Sequence, residues 1–388
     1  MSIREYTPTL SDAERTRRWE LYREKLIEKN LDGALIYGHT LQQMGSCFQY
    51  LTQIWGKDGG SMLIFPVEGE PHMVIPAYGG TARFTSSWVN PDYVRPTVSF
   101  AEDVADELIS MGLERSRIGV DSFSTWPSRD YRVFCQMCPC VELVDMSMEF
   151  GRIRARKSEE ELRIMKEDIS LAEKAHTVFM ENLVPGTNAA EAVAKAESVL
   201  IVNGASRDRI ILTHSNPQMV YPYTPKEEII SREHPITLST EFTMTRGGGC
   251  QVIRTYAWEK PKGNQARMFG LIDELRECVT KVFRPGVEIT KAGAEITKMI
   301  EANGFQCDKL GHACGASYGE LPFITSGPQQ LDYMEWTIQE DEVYVVHPMI
   351  RGADGTPPFV WAGDMFYVGK KRTEWLTQFK PDAPILMG

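Results

Sequence analysis

The chain has 388 residues, 42% of them hydrophobic, more than a single core ordinarily organises, so two domains are expected. Its 42 Lys and Arg stand against 53 Asp and Glu, a net charge of −11 with no basic stripe, which argues against nucleic acid as a partner. No run of about 20 apolar residues offers a membrane span, and the polar opening MSIREYTPTL lacks the apolar core of a secretory signal, so a cytoplasmic protein is expected.

In chain order, helical periodicity runs from Ala13 to Lys29, followed by the apolar strand GALIYG, then MLIFP and HMVIP. A helix near Glu102 to Met111 and the strand RIGVD complete an α/β pattern. Eight cysteines in such a chain read as reduced thiols. Cys135, Cys138 and Cys140 have spacing that could suit zinc, but no fourth ligand is nearby, and VFCQMCPCVELVD reads as a buried, strand-like run. The basic segment RIRARK, Arg152 to Lys157, reads as an exposed connector. Beyond it Ser158 and Glu161 form a capping box that opens a long helix. The domain boundary is therefore placed at 152/153.

The second half contains an internal repeat. LVPGTNAAEAVAKAESVLIVNGAS is similar to VFRPGVEITKAGAEITKMIEANGFQ, and the distance from Pro185 to Asn203 equals that from Pro285 to Asn303. Each copy reads Pro-Gly, helix, Asn-Gly, with glycine placed to end the helix. Between them ITLSTEFTMTR, GGG and CQVIRTYAW read as a β-hairpin.

Two related α+β halves, a hairpin ending in Arg254-Thr255, then GHACGASYGE and VVHPMI, resemble the family of methionine aminopeptidase, aminopeptidase P, prolidase and creatinase. The resemblance covers nearly the whole chain. It implies a creatinase-type α/β N-terminal domain over 1–152 and a "pita-bread" α+β domain with a pseudo-twofold repeat over 153–388. Metal-bearing members hold two divalent ions with carboxylates that bridge them. Carried onto this chain, the ligand positions fall on Thr240, Gln251, His312, His347 and Gly363, and only His312 is retained. A single ion held by His312, His347 and Asp364 stays open as an alternative. Creatinase works without metal, yet its catalytic His falls here on Tyr223, its hairpin Glu on Ile253 and a further Glu on His347.

The resemblance thus implies a metal-independent, creatinase-like hydrolase or lyase, with no cofactor, acting on a C–N bond of a small carboxylate-bearing nitrogenous metabolite. Its alternatives are a metal-dependent Xaa-Pro aminopeptidase or prolidase, and a non-enzymatic binding protein on the same fold. Two histidines in one pocket can divide acid and base roles, with His347 as base and His312 as acid or substrate orienter. Tyr223 and Glu320 are expected as further catalytic groups at the pocket edge, and Thr240, Gln251, Trp55, Lys57 and His214 against substrate. Trp55-Gly56-Lys57 resembles a triple that reaches the partner's site in creatinase, which implies a homodimer. Arg254 is expected to be structural.

Overall fold

In the computed structural model the described residues are 10–39, 47–54, 60–77, 87–121, 123–214, 229–244, 247–308, 310–317, 319–326, 335–354, 359–379 and 383–388, with backbone alone for 206–214. They divide into two compact units, Met1–Arg154 with Thr245–Gly247, and Ala155–Met244 with Gly248–Gly388.

The first unit opens with α1 (Asp12–Glu28), capped by the Ser11 side chain, then β1 (Gly33–Gly38) and α2 (Cys47–Thr52). It continues through β2 (Ser61–Pro66), β3 (His72–Pro76), β4 (Val94–Thr97) and α3 (Phe100–Ser110). β5 (Arg117–Asp121), α4 (Ser128–Met137), β6 (Glu142–Asp145) and α5 (Ser147–Ala155) complete it. The strands form one mixed sheet in the order β4-β3-β2-β1-β5-β6. β1 is central and buried along its whole length, as a continuous apolar run requires.

Two expectations are corrected here. VFCQMCP is not strand-like: it lies mostly within α4, where Phe134 and Cys138, four residues apart, are the buried pair. Cys140 is exposed, and among the described residues no cysteine joins a group able to hold a metal. The segment 152–157 is not an exposed connector either, because Arg154 and Lys157 are both buried.

The second unit begins with α6 (Glu159–Asn182), whose Ser158–Glu161 capping box is formed in both directions. Then come α7 (Ala189–Val202), β7 (Ala205–His214), β8 (Ile236–Met244) and β9 (Gly249–Ala257). α8 (Gly263–Val282), α9 (Ile289–Ala302), β10 (Phe305–Asp308), β11 (Gly311–Ala313) and β12 (Glu320–Ile324) follow. The unit closes with β13 (Glu342–Val346), β14 (Met349–Gly352), β15 (Phe359–Trp361), β16 (Asp364–Val368), β17 (Thr373–Trp375) and β18 (Ile385–Leu386).

The repeat is plain in the backbone. α7 and α9 are each 14 residues long and are followed by Asn203-Gly204 and Asn303-Gly304, with φ of +96° and +81° at the glycines. These left-handed positions end both helices where a Cβ would be strained.

The strands form sheets ordered β12-β11-β13-β16-β17, β10-β14-β15 and β18-β9-β8-β7. Backbone pairing of Ile253 with Gly363 joins β9 to the start of β16. Ile236, Leu238, Phe242 and Met244 of β8 bury against residues of α6 and α7, so the helices cover that side of the hairpin.

Candidate active site

The hairpin decides which side chains meet. β8 and β9 pair with Thr240 opposite Val252 and Glu241 opposite Gln251. Successive residues of a strand alternate faces, so Thr240 shares the helix side with Leu238 and Phe242. Its hydroxyl lies 3.3 Å from His176 Nε2 of α6 and donates to Val252 O, which corrects the expectation that Thr240 faces substrate. Glu241 takes the other face, with Gln251 Nε2 donating to its Oε1 at 2.9 Å and Ser239 Oγ at 3.2 Å. The buried hairpin carboxylate is therefore one residue beyond the position read from the motif.

His176 belongs to the structure of the helix side. Tyr256 Oη is 2.8 Å from its Nδ1 and Val252 O is 3.1 Å from its Nε2. Burial first, and the Arg254 charge second, push its pKa down to about 3.

The two site histidines come together. The rings of His312 and His347 lie with centroids 5.2 Å apart and nearly perpendicular, and Trp361 stands 6.1 Å from His347 while donating from Nε1 to its carbonyl. His312 is placed by a register shift between His312 and Ala313 in the β11–β12 pairing. Its Nδ1 is 3.0 Å from Ala313 O. A carbonyl only accepts, so Nδ1 carries the proton and Nε2 keeps its lone pair. Burial lowers the His312 pKa, which favours this neutral form.

Two expected groups are committed elsewhere. Asp364 is buried and bound by Arg254 Nη2 and Arg276 Nη1, each at 2.6 Å, and by the Thr377 hydroxyl. Burial raises its pKa, but the two guanidiniums outweigh that and hold it below the usual range. This corrects Asp364 as a ligand beside the histidines. Arg254 is structural as expected, also donating to the carbonyls of Phe379, Ile253 and Gly363. Glu320, expected at the pocket edge, instead starts β12 and forms a buried pair with Lys157 Nζ at 3.3 Å. Tyr223, Trp55 and Lys57 lie outside the described residues, as does the side chain of His214.

These elements give the class: a duplicated pita-bread α+β unit that presents a histidine pair beside Gly363, which pairs with Ile253 of its hairpin. A family model described as "Metallopeptidase family M24" matches residues 163–370, and the chain belongs to that family. It is similar to "Probable dipeptidase PepE" of Mycobacterium tuberculosis, 23% identical over 45% of this chain and 48% of that protein. It is also similar to an "Xaa-Pro dipeptidase" of Pyrococcus furiosus, 23% identical over 51% and 56%. In these alignments the chain spans about half the length of the curated relatives it matches. The fold extends further: dipeptidase PepE from Mycobacterium ulcerans matches with a TM-score of 0.78 at 18% identity over 97% and 99% of the two chains. The prolidase from Pyrococcus horikoshii OT3 matches at 0.76 and 17% over 94% and 99%.

The family's name implies metal, and the donor set here does not fit a pair of ions. Gln251 is a neutral amide whose NH₂ is turned toward Glu241, Thr240 faces the helices, and Gly363 has no side chain. Among the described residues no three His, Cys, Asp or Glu are gathered so as to hold a metal. Of the five positions only His312 and His347 present donors side by side, and two imidazoles supply no anionic bridge for adjacent divalent cations.

Proposed function

We propose that this chain is a hydrolase of family M24 that cleaves a C–N bond of a small, dipeptide-sized substrate through His312 and His347 and without a metal pair. The observation that carries it is the pair of rings 5.2 Å apart, at which no metal-holding group of His, Cys, Asp and Glu is gathered among the described residues. The relatives named dipeptidases support a dipeptide over the nitrogenous metabolite expected from the sequence.

In this reading His312 is the base, the reverse of the sequence expectation, because its Nδ1–H is given to Ala313 O and its Nε2 can accept. Water loses a proton to Nε2 as its oxygen bonds to the acyl carbon. The C–N bond then breaks, the amine leaves with a proton relayed through the His347 side, and acid and amine are the products. Glu320 takes no part in proton transfer, being held by Lys157.

A second reading, a metal-dependent Xaa-Pro dipeptidase, is favoured by the names of the relatives. One experiment separates the two: elemental mass spectrometry of unsupplemented protein, with turnover of Xaa-Pro and other dipeptides with and without chelator and manganese. The proposal expects less than about 0.1 ion per subunit, well below what a tight catalytic site retains. It also expects turnover that ignores the chelator and is lost in His312→Ala. Near-stoichiometric metal, or activity restored by manganese, establishes the second reading instead. Thermal stabilisation by dipeptides without turnover of any would establish a binding protein.

A further inference from the structure

The loss of ligand carboxylates is only part of how the family's metal position is altered. Gly363 is not among the glycines with positive φ, so its backbone does not demand glycine. Space does: a Cβ there would lie 2.8 Å from Ile253 Cδ1, 2.9 Å from Ile253 Cγ1 and 3.0 Å from His347 Cβ. Contacts below 3.0 Å force a shift, and the backbone here has little freedom to provide it. Ile253 N donates to Gly363 O at 3.1 Å, Gly363 N returns to Ile253 O at 3.2 Å, and Arg254 Nη1 holds the same Gly363 carbonyl at 2.9 Å. Ile253 is itself wholly buried against Trp361 and Met349, so it cannot swing aside without displacing them.

We infer that Ile253 is the residue that closes the metal position of this chain, so that restoring the carboxylates alone does not restore metal binding. The side chain fills, together with His347 Cβ, the volume that any side chain at 363 would need. This inference rests on the metal-free reading above and adds a steric cause to it.

The test is manganese binding by titration calorimetry. One variant carries Gln251→Asp, His347→Glu and Gly363→Glu with Ile253 retained, and a second adds Ile253→Ala. The expected result is no gain over the parent for the first and tighter binding for the second, by about 10–100-fold, the range over which groups supporting a ligand act. Equal affinity in the two, or no binding in either, overturns the inference. Because the multiple variants can fail to fold, a melting cycle accompanies them. Gly363→Ala should lower Tm by several degrees with Ile253 present and by clearly less in the Ile253→Ala background. The same drop in both backgrounds overturns it. Stoichiometric manganese in the unmodified protein would refute the metal-free reading itself, a result distinct from equal binding by the two variants.

Discussion

Acid lability of the second unit follows from His176. Its pKa of about 3 in the fold compares with an ordinary value of 6.5, so the unfolded chain binds the proton more readily than the fold does. Stability from this group is therefore complete above 6.5 and declines as pH falls toward 3. Between pH 7 and pH 5 the linkage amounts to about 2 kcal/mol, at 1.36 kcal/mol per unit of separation between the two titration curves. The variant His176→Phe keeps the ring volume but cannot titrate. It starts less stable, because Tyr256 Oη and Val252 O lose their partner. Hydrogen exchange of peptides from α6 and β9, corrected for intrinsic rates, reads the opening free energy of each protein at both pH values. The parent should lose about 2 kcal/mol more than His176→Phe between them. Equal losses would show that His176 is not the buried neutral imidazole described here.

Three further outcomes follow. Lys157→Met should cost about 3–5 kcal/mol in denaturant melts by leaving Glu320 charged and buried, whereas Lys157→Met with Glu320→Gln should recover most of it. Ser158→Ala removes one half of the capping box and should destabilise α6 by about 1 kcal/mol, read by exchange at its first turn. Gly293→Ala brings a Cβ to 2.1 Å from Thr325 O and should lower stability by about 1–3 kcal/mol in thermal melts, despite the better helix propensity of alanine.

Much of the fold is legible in the residues because its signals are local. The period of α1, the apolar runs of β1 to β3, the capping box and the twin Pro-Gly and Asn-Gly brackets each need only a few neighbouring positions. The site was harder to read where spacing was trusted over the pleat. The resemblance puts the first ligand position on Thr240, but the alternation of Ile236, Leu238, Thr240, Phe242 and Met244 assigns that residue to the apolar side and Glu241 to the other. That alternation was in the sequence. The partners of Asp364 and Glu320 were not, since Arg276 and Lys157 lie 88 and 163 residues away and nothing local marks them. The run through Cys135 and Cys138 misled for a related reason, because its apolar residues suit either period until the burial of Phe134 with Cys138 decides for a helix.

The Lys157–Glu320 pair also bears on where this chain can be cut. The family match starts at residue 163, a natural point at which to trim a fragment of the second unit. Such a fragment would discard the capping serine and the Lys157 ammonium paired with Glu320, while keeping the buried carboxylate beside Gly315. It should melt at lower denaturant than a fragment beginning at Ala155, which carries its own counter-charge. The stretch before the family match thus carries a charge that a strand 163 residues further along requires.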